Sequence, residues 1–212
     1  MTRILIADDH PIFRRGLRGL LGSRNGWTVE AEAGDGYEAI DAALRTQPDI
    51  AIIDDTMPRM NGVEAARRVR ARLPKIEICL LTDSEEESVI AHALPVGVRG
   101  FVLKSDAEKE ILSAIESLSR HRPYFSRVVS ESLLDHFVKH IGLPQKIDLL
   151  TPREREVVQL VAEGLSNKQV GRQLHLSIKT VETHRSAAMR KAGLSSTADL
   201  VRYAVRNHLV HA

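Results

Sequence analysis

The sequence has little of what stabilises secreted or membrane-embedded proteins. It contains one cysteine, Cys79, so no internal disulfide can form, and this fits a reducing compartment. Cys79 lies within an apolar run, where it is most simply a small buried residue. No apolar stretch approaches the ~20 residues that a membrane-spanning helix needs. Acidic residues follow Met1 too closely for a signal peptide. We therefore expect a cytoplasmic protein that does not contact a membrane.

Composition and charge indicate two different modules. The 212 residues, 43% hydrophobic and 27% charged, suit one large or two small globular domains. Residues 1–119 carry 15 Lys and Arg against 20 Asp and Glu, a net charge of −5. Residues 120–147 have a net charge of +3 and residues 148–212 of +4. An acidic front and a basic back favour a phosphate- or metal-handling module joined to a nucleic-acid-binding one, although a mild basic excess is usually a solvated surface.

The first 119 residues alternate short apolar runs with helix-like stretches, which predicts a doubly wound α/β domain with a five-stranded parallel sheet. Ser84–Glu87 and Ser105–Glu108 both match the Ser-x-x-Glu capping box, and Pro11 suits a first helical turn. The predicted strands are 3–7, 28–33, 50–53, 77–82 and 99–103. The predicted helices are 11–22, 36–46, 62–72, 85–94 and 106–118.

The rest of the chain is predicted to be helical. Residues 120–147 form a linker with a helix between Val128 and His140, and Gly142 and Pro144 mark a flexible joint. Residues 148–212 form a small all-α domain whose first helix starts at the capping box Thr151–Glu154 and runs to residue 162. Further helices follow at 167–174, 178–192 and 197–207. The short turn between the second and third helices is typical of a helix-turn-helix.

Polar residues follow the predicted strands and would converge on one rim of the sheet, because ligands bind beyond the carboxyl ends of parallel strands. These residues are Asp8, Asp9, Asp54, Thr82 and Lys104. Three neighbouring carboxylates repel one another, and a hard divalent cation such as Mg²⁺ relieves that repulsion. Asp54 would be the nucleophile for a phosphoryl group, with Lys104 and Thr82 contacting its oxygens. Singly, each residue is more often a cap or a solvated side chain; their ordered occurrence favours a site.

Three motifs carry a family resemblance. Leu5–Pro11, Asp54–Gly62 and Gly100–Lys104 resemble the receiver domain of two-component response regulators. The segment from Leu150 through Leu194 resembles a LuxR-type output domain. Together they resemble the NarL/FixJ class over nearly the whole chain, which implies a flavodoxin-like receiver followed by a four-helix DNA-binding domain.

The resemblance implies a role for each matching position. Asp54 would be the phospho-acceptor, four residues before Pro58. Asp9 and Asp54 would bind Mg²⁺ directly, Asp8 through water, and the backbone carbonyl of Thr56 would add a ligand. The switch residues would be Thr82 and Phe101.

Some positions depart from the family pattern. Asp55 stands where an aliphatic residue is common, and on a strand its side chain would point to the face opposite to that of Asp54. It would then either alter metal affinity or face outward. Pro95 and Val96 replace a more usual charged residue and alanine on a surface that relatives use for switching and dimerisation.

The helix 178–192 is the expected recognition helix, packed inward through Val181, Ala188, Met189 and Ala192. Glu182 is suited to a cytosine amino group and Thr183 to a thymine methyl. Lys179, His184, Arg190 and Lys191 are better suited to phosphates, although such charges also occur on solvated faces and His184 is nearly as well explained by packing. The full set of candidate DNA contacts is Lys179, Thr180, Glu182, Thr183, His184, Ser186, Arg190 and Lys191.

These features predict a transcription regulator that is controlled by phosphorylation. A sensor histidine kinase would supply the phosphoryl group, and a homodimer would bind double-stranded promoter DNA, the last helix serving as core or dimer seam. The protein would modify itself without being a turnover enzyme. An aspartyl-phosphate phosphatase is one alternative, but such enzymes need an acid two residues after the nucleophile, where Thr56 stands. An interaction protein without DNA binding is the other, and the intact turn argues against it.

Overall fold

The structure is a computed structural model that describes residues 1–83, 87–127, 129–131, 133–134, 149–207 and 209–210. The chain divides into two units, Met1–Ile141 and Gly142–Ala212. No helix within the described ranges is both long and apolar enough to cross a membrane.

The first unit is built on a six-stranded parallel sheet in the order β2-β1-β3-β4-β5-β6. Its strands are β1 (Thr2–Ala7), β2 (Trp27–Ala33), β3 (Ile50–Asp54), β4 (Glu77–Thr82), β5 (Gly100–Leu103) and β6 (Tyr124–Phe125). Its helices are α1 (Pro11–Gly22), α2 (Gly36–Thr46), α3 (Gly62–Arg72), α4 (Glu87–Ala93) and α5 (Ala107–Ser119). Short 3₁₀ turns at Leu94–Val96 and Lys104–Asp106 follow α4 and β5, so Pro95 and Val96 end the fourth helix.

Side chains of the central strands alternate between two apolar layers, one on each face of the sheet. Ala51 and Ile53 of β3 join the layer that contains residues of α2, α3 and α4. Ile50 and Ile52 join the layer that contains residues of α1 and α5. Strands buried on both faces read as continuous apolar runs, which explains why the sequence located them well. Cys79 of β4 is fully buried in the second layer, and burial raises the pKa of its thiol to about 12.

The sheet has one strand more than the five predicted. Tyr124 and Phe125 pair in parallel with Gly100 and Phe101 of β5, beyond the predicted domain end at residue 119. The Phe125 ring stacks on the Phe101 ring with centroids 5.4 Å apart. Val129 is also buried in the core of this unit. A strand of two residues is too short to show the alternation of apolar and polar residues from which strands are predicted. It forms because β5 offers backbone hydrogen-bond partners and because the Phe101 ring offers an aromatic surface.

The first residues of the helices can be compared with the capping boxes predicted from the sequence. Asp35 caps α2 and Asn61 caps α3 through side-chain acceptors. The capping box predicted at Ser105–Glu108 is wrong, because a 3₁₀ turn occupies Lys104–Asp106 and the N-cap, Asp106, makes no side-chain cap bond. The box predicted at Ser84–Glu87 falls partly outside the described residues.

The described residues of the second unit form four helices, α6 (Pro152–Ala162), α7 (Asn167–Leu174), α8 (Ile178–Lys191) and α9 (Thr197–Arg206). The capping box at Thr151 and Glu154 is present, and Ser177 caps α8 by accepting from the Thr180 amide. A second, unpredicted box joins Ser166 and Gln169 at the start of α7. In the linker, residues 127, 129–131 and 133–134 are helical, and residues 135–148 lie outside the described part of the chain.

Gly62, the first residue of α3, is predicted to be essential for stability. A Cβ atom there would lie 1.8 Å from the Asp54 carbonyl oxygen, so Gly62→Ala forces the helix away from β3. We expect the first unit to lose about 2–4 kcal/mol of unfolding free energy. Urea unfolding followed by the fluorescence of Trp27, the single tryptophan, would measure the loss.

Gly19→Ala in α1 is the matched control, because a Cβ there meets nothing within 4 Å. It should leave stability unchanged or raise it by up to about 1 kcal/mol, since alanine favours the helix. Equal stability of the two variants would contradict the close approach at Gly62.

Candidate functional site

Two carboxyl groups and one ammonium group meet at the carboxyl ends of β1, β3 and β5. Asp8 follows β1, Asp54 ends β3, and both side chains are fully buried. The Lys104 Nζ lies 2.8 Å from Asp54 Oδ2 and 3.0 Å from Asp8 Oδ2. The structure thus brings together three of the residues that the sequence placed at this rim.

Electrostatics at Asp54 are set by burial and by its charged neighbours. Burial raises the pKa of Asp54 well above its ordinary value, Lys104 opposes the shift, and Asp8 and Asp55 add to it. Burial alone would lower the pKa of Lys104, but Asp54 and Asp8 outweigh it and raise that pKa above its ordinary value. The ammonium group therefore stays charged and holds the carboxyl cluster together.

The acidic cluster fits a hard cation by its chemistry. Ligand atoms of Asp8, Asp9, His10 and Asp54 all lie within 4.8 Å of one another. The buried oxygens Asp8 Oδ2 and Asp54 Oδ2 pair with the Lys104 ammonium, and the buried Asp9 Oδ1 faces His10 Nδ1. Carboxylate oxygens are the ligands that Mg²⁺ prefers. His10, which the sequence analysis did not single out, has its Nδ1 2.7 Å from Asp9 Oδ1 and acts as a neighbour of the cluster.

Thr56 follows Asp54 closely and is also buried. Its backbone N–H points to Asp54 Oδ1 at an N···O distance of 3.4 Å. The metal-binding role expected for its carbonyl stays a prediction, as do the ligand roles of Asp8, Asp9 and Asp54.

Thr82, at the end of β4, and Asp55, directly after β3, form a second polar group that does not include Lys104. Thr82 Oγ1 donates a hydrogen bond of 2.8 Å to Asp55 Oδ2, and Thr56 Oγ1 donates one of 3.1 Å to Asp55 Oδ1. Asp55 is only 3% exposed, so it does not face outward. As alternation along β3 predicted, Asp54 and Asp55 are directed to different partners, the first to Lys104 and the second to Thr82. Phe101, the expected switch aromatic, is fully buried against Phe125.

The second unit presents a tight helix-turn-helix. His175, in the left-handed region with φ 54°, ends α7. A Cβ at Gly171 would lie 2.8 Å from the Leu176 carbonyl oxygen, so the turn packs closely on α7. Val181 and Ala188 of α8 are buried, as predicted, whereas Met189 and Ala192 are half-buried.

The candidate DNA contacts lie along α8 and differ in exposure. Lys179, Glu182, Thr183, Ser186, Arg190 and Lys191 are exposed, and Thr180 and His184 are half-buried. Thr183 Oγ1 donates to the Lys179 carbonyl at 2.9 Å, and the Thr180 and Ser177 hydroxyls lie 2.8 Å apart. The exposed members form a polar face opposite Val181 with three basic residues and one acidic residue, and their contact with DNA stays a prediction.

Lys191 has a partner that the sequence analysis did not identify. Its Nζ donates a hydrogen bond of 2.7 Å to Oε2 of Glu154, a buried residue of α6. Burial alone would raise the pKa of Glu154, but hydrogen bonds from Lys191 and the Thr151 amide lower it below its ordinary value. Glu154 therefore serves both the capping box and the attachment of α8 to α6.

Comparisons with known proteins agree with these two units. The response regulator receiver domain matches residues 4–116, and the luxR family of bacterial regulatory proteins matches residues 148–204. The oxygen regulatory protein NreC of Staphylococcus aureus strain JH9 is 32% identical over 98% of this chain and 99% of its own length. The chain belongs to the response regulators of the NarL/FixJ class, which join a receiver domain to a LuxR-type DNA-binding domain.

Solved structures of relatives are similar as well. RcsB from Salmonella enterica serovar Typhimurium, bound to promoter rprA in the presence of phosphomimetic BeF3−, has a TM-score of 0.64. It is 27% identical and covers 95% of this chain and 97% of its own. A structure of two RcsB dimers bound to two parallel DNAs has a TM-score of 0.59 at 27% identity, covering 97% of this chain and 98% of its own.

The Glu154–Lys191 pair gives a pH-dependent prediction. Because the pKa of Glu154 is lowered in the folded unit, its stabilisation is present above its ordinary pKa and is lost as pH falls through the lowered value. Glu154→Gln should therefore destabilise the second unit by about 1–2 kcal/mol at pH 7, and the difference should shrink below about pH 4.5.

Thermal unfolding followed by far-ultraviolet circular dichroism would measure this difference, with Trp27 fluorescence reporting the first unit separately. Arg206→Gln, at the end of α9, is a charge control that should show no such pH dependence. A wild-type advantage that stays constant from pH 7 to pH 3 would contradict the ion pair.

Proposed function

We propose that this protein is a transcription regulator that a sensor histidine kinase switches by phosphorylating Asp54 in the cytoplasm. The observation that carries the proposal is the fully buried Asp54 side chain, held 2.8 Å from the Lys104 ammonium at the rim of the sheet. A carboxylate in this position can attack phosphorus, while Lys104 offers a positive charge to the transferred oxygens. The family membership of the chain supports the same role.

In the transfer step, an Asp54 oxygen forms a bond to phosphorus as the bond from phosphorus to the histidine nitrogen of the kinase breaks. Asp8, Asp9 and Asp54, with the Thr56 carbonyl, would hold Mg²⁺. When bound, the cation supplies charge neutralisation for the transferring phosphoryl group. Lys104 pairs with Asp8 and Asp54 before transfer and is placed to contact the phosphoryl oxygens after it.

The second unit would carry the output. The exposed face of α8 is suited to the major groove, with Lys179 and Arg190 on phosphates and Glu182 and Thr183 on base edges. The relatives solved with DNA support this assignment, and the structure with RcsB dimers supports a homodimer on DNA. We infer that phosphorylation promotes dimerisation and thereby promoter binding, since one helix offers few base contacts.

The phosphatase alternative is not favoured by the geometry. Turnover needs an acid two residues after the nucleophile, and Thr56 holds that position with its hydroxyl donated to Asp55. The acyl phosphate on Asp54 would therefore persist as a signal.

Substitution of the acceptor tests the first half of the proposal. After treatment with Mg²⁺ and acetyl phosphate, wild-type protein should gain one phosphoryl group, and Asp54→Asn should gain none because its amide is not nucleophilic. Intact-mass spectrometry would measure both. Asp55→Asn should still gain the group, because the Asp55 carboxyl is bonded to Thr82. Modification of Asp54→Asn at the wild-type rate would overturn the assignment.

Substitution of single basic residues on α8 tests the proposed DNA binding. Lys179→Ala and Arg190→Ala should each weaken binding to duplex DNA and lower the slope of log affinity against log salt by about 0.9. Fluorescence anisotropy at several salt concentrations would measure the slope. Lys109→Ala, an exposed substitution on α5 of the first unit, is the control and should leave the slope unchanged. Unaltered slopes for both α8 variants would place the DNA surface elsewhere.

A further inference from the structure

Asp55 lies beyond the end of β3 and its carboxyl group is committed to two hydroxyl groups. Oδ2 accepts from Thr82 at 2.8 Å and Oδ1 accepts from Thr56 at 3.1 Å. Asp55 is 3% exposed and Thr82 is 0% exposed, so the bond between them is shielded from water. A hydrogen bond to an ionised group in such a place contributes more than one between neutral groups.

Strand alternation explains why Thr82 meets Asp55 and not Asp54. Asp54 pairs in register with Leu81, so Thr82 lies one residue further along β4, level with Asp55. Side chains at alternate positions share a face, which places Asp55 with Ile53 and Thr82 with Leu80. Asp54 shares the other face with Ile50 and Ile52, and its carboxyl group pairs there with Lys104. An aliphatic residue at position 55 would offer Thr82 no acceptor, so this contact depends on the aspartate.

We propose that Asp55 is a positioning residue that holds the Thr82 hydroxyl in the resting state, and that the phosphoryl group on Asp54 must take this hydroxyl from it. The proposal rests on Asp54 as the phospho-acceptor. One hydrogen bond is exchanged: the Thr82 Oγ1–H leaves Asp55 Oδ2 and donates to a phosphoryl oxygen. Asp55 keeps its bond from Thr56 in both states.

The exchange would set the threshold for activation. Every contact that favours the Thr82–Asp55 bond stabilises the resting state and weakens phosphoryl-dependent switching by the same amount. Thr82 pairs in register with Leu103 of β5, two residues from Phe101. Release of the hydroxyl would therefore be felt at β5, where Phe101 stacks on Phe125 of β6.

A charge effect must be separated from this exchange, because Asp55 also raises the pKa of Asp54 through its charge. Removing the carboxyl would favour an added phosphoryl group for that reason alone. The two causes differ in their dependence on Thr82: repulsion acts whether or not the hydroxyl is present, whereas the exchange requires it. A double-mutant cycle measures this dependence.

The test is the affinity of full-length protein for beryllofluoride, a phosphoryl analogue, in the presence of Mg²⁺, measured by calorimetry. Four proteins form the cycle: wild type, Asp55→Asn, Thr82→Ala and the double variant. We expect Asp55→Asn to bind about tenfold more tightly than wild type, because the Thr82 hydroxyl donates more weakly to a neutral amide oxygen than to a carboxylate, a difference of ~1.4 kcal/mol. In the Thr82→Ala background only the charge effect remains, so the same substitution should raise affinity by less than about twofold.

Two further variants sharpen the result. Asp83→Asn removes an exposed carboxyl 3.8 Å from Lys104, so it reports the effect of local charge alone and should not reproduce the tenfold gain. Thr82→Ser keeps the hydroxyl and should restore the sensitivity to Asp55→Asn. A gain in affinity is informative because damage to the fold would lower affinity instead.

Each outcome has a distinct meaning. An equal gain in both Thr82 backgrounds, or no gain from Asp55→Asn, would overturn the exchange while leaving Asp54 as the acceptor. Failure of wild type to bind beryllofluoride or to gain a phosphoryl group would overturn the proposed function, and the exchange with it. A measurement on unaltered protein does not depend on variant folding: the Thr82 side-chain rotamer, read by nuclear magnetic resonance, should change when beryllofluoride binds. An unchanged rotamer would overturn the exchange.

Discussion

The position of Lys104 among buried carboxyl groups is the interaction on which the first unit depends. Without a positive charge, Asp8 and Asp54 at this rim would repel each other strongly and the pocket would open. With Lys104 about 3 Å from both, the pocket keeps a shape that a cation or a phosphoryl group can enter. The same ammonium lies 5.4 Å from the Phe13 ring centroid, which ties the rim to α1. The side chain that stabilises the pocket is thus also the one proposed to contact the phosphoryl group.

In the second unit, Glu154 also serves two purposes with one side chain. Its carboxyl group closes the capping box of α6 and accepts from Lys191 near the end of α8. The carboxyl group that completes this helix start is also bonded to the proposed recognition helix. The orientation of α8, on which groove binding would depend, is therefore fixed by a buried charge and not by the apolar contacts of Val181 and Ala188 alone.

Much of this architecture could be predicted from the sequence because it follows from local patterns. Apolar runs located each bound of β1 to β5 to within one residue, and Thr151 and Ser177 marked their helices correctly. The misses have tertiary causes. Strand β6 depends on stacking of Phe125 on the Phe101 ring. The capping box expected at Ser105 is replaced by a 3₁₀ turn that includes Lys104. The hydrogen bond between Thr82 and Asp55 depends on the register of β3 with β4. Spacing along one segment contains none of this information.

The buried thiol of Cys79 has a practical consequence for studying the molecule. It lies in the middle of β4, with Gly100 packed against its sulfur, and its raised pKa keeps it in the unreactive thiol form. Alkylating reagents can reach it only when the central strands separate, so the rate of its modification reports the opening of the sheet itself. An added surface cysteine would, in the folded protein, be the preferred site for a spectroscopic label. The native sequence therefore already provides a nearly silent background for distance measurements between chosen points.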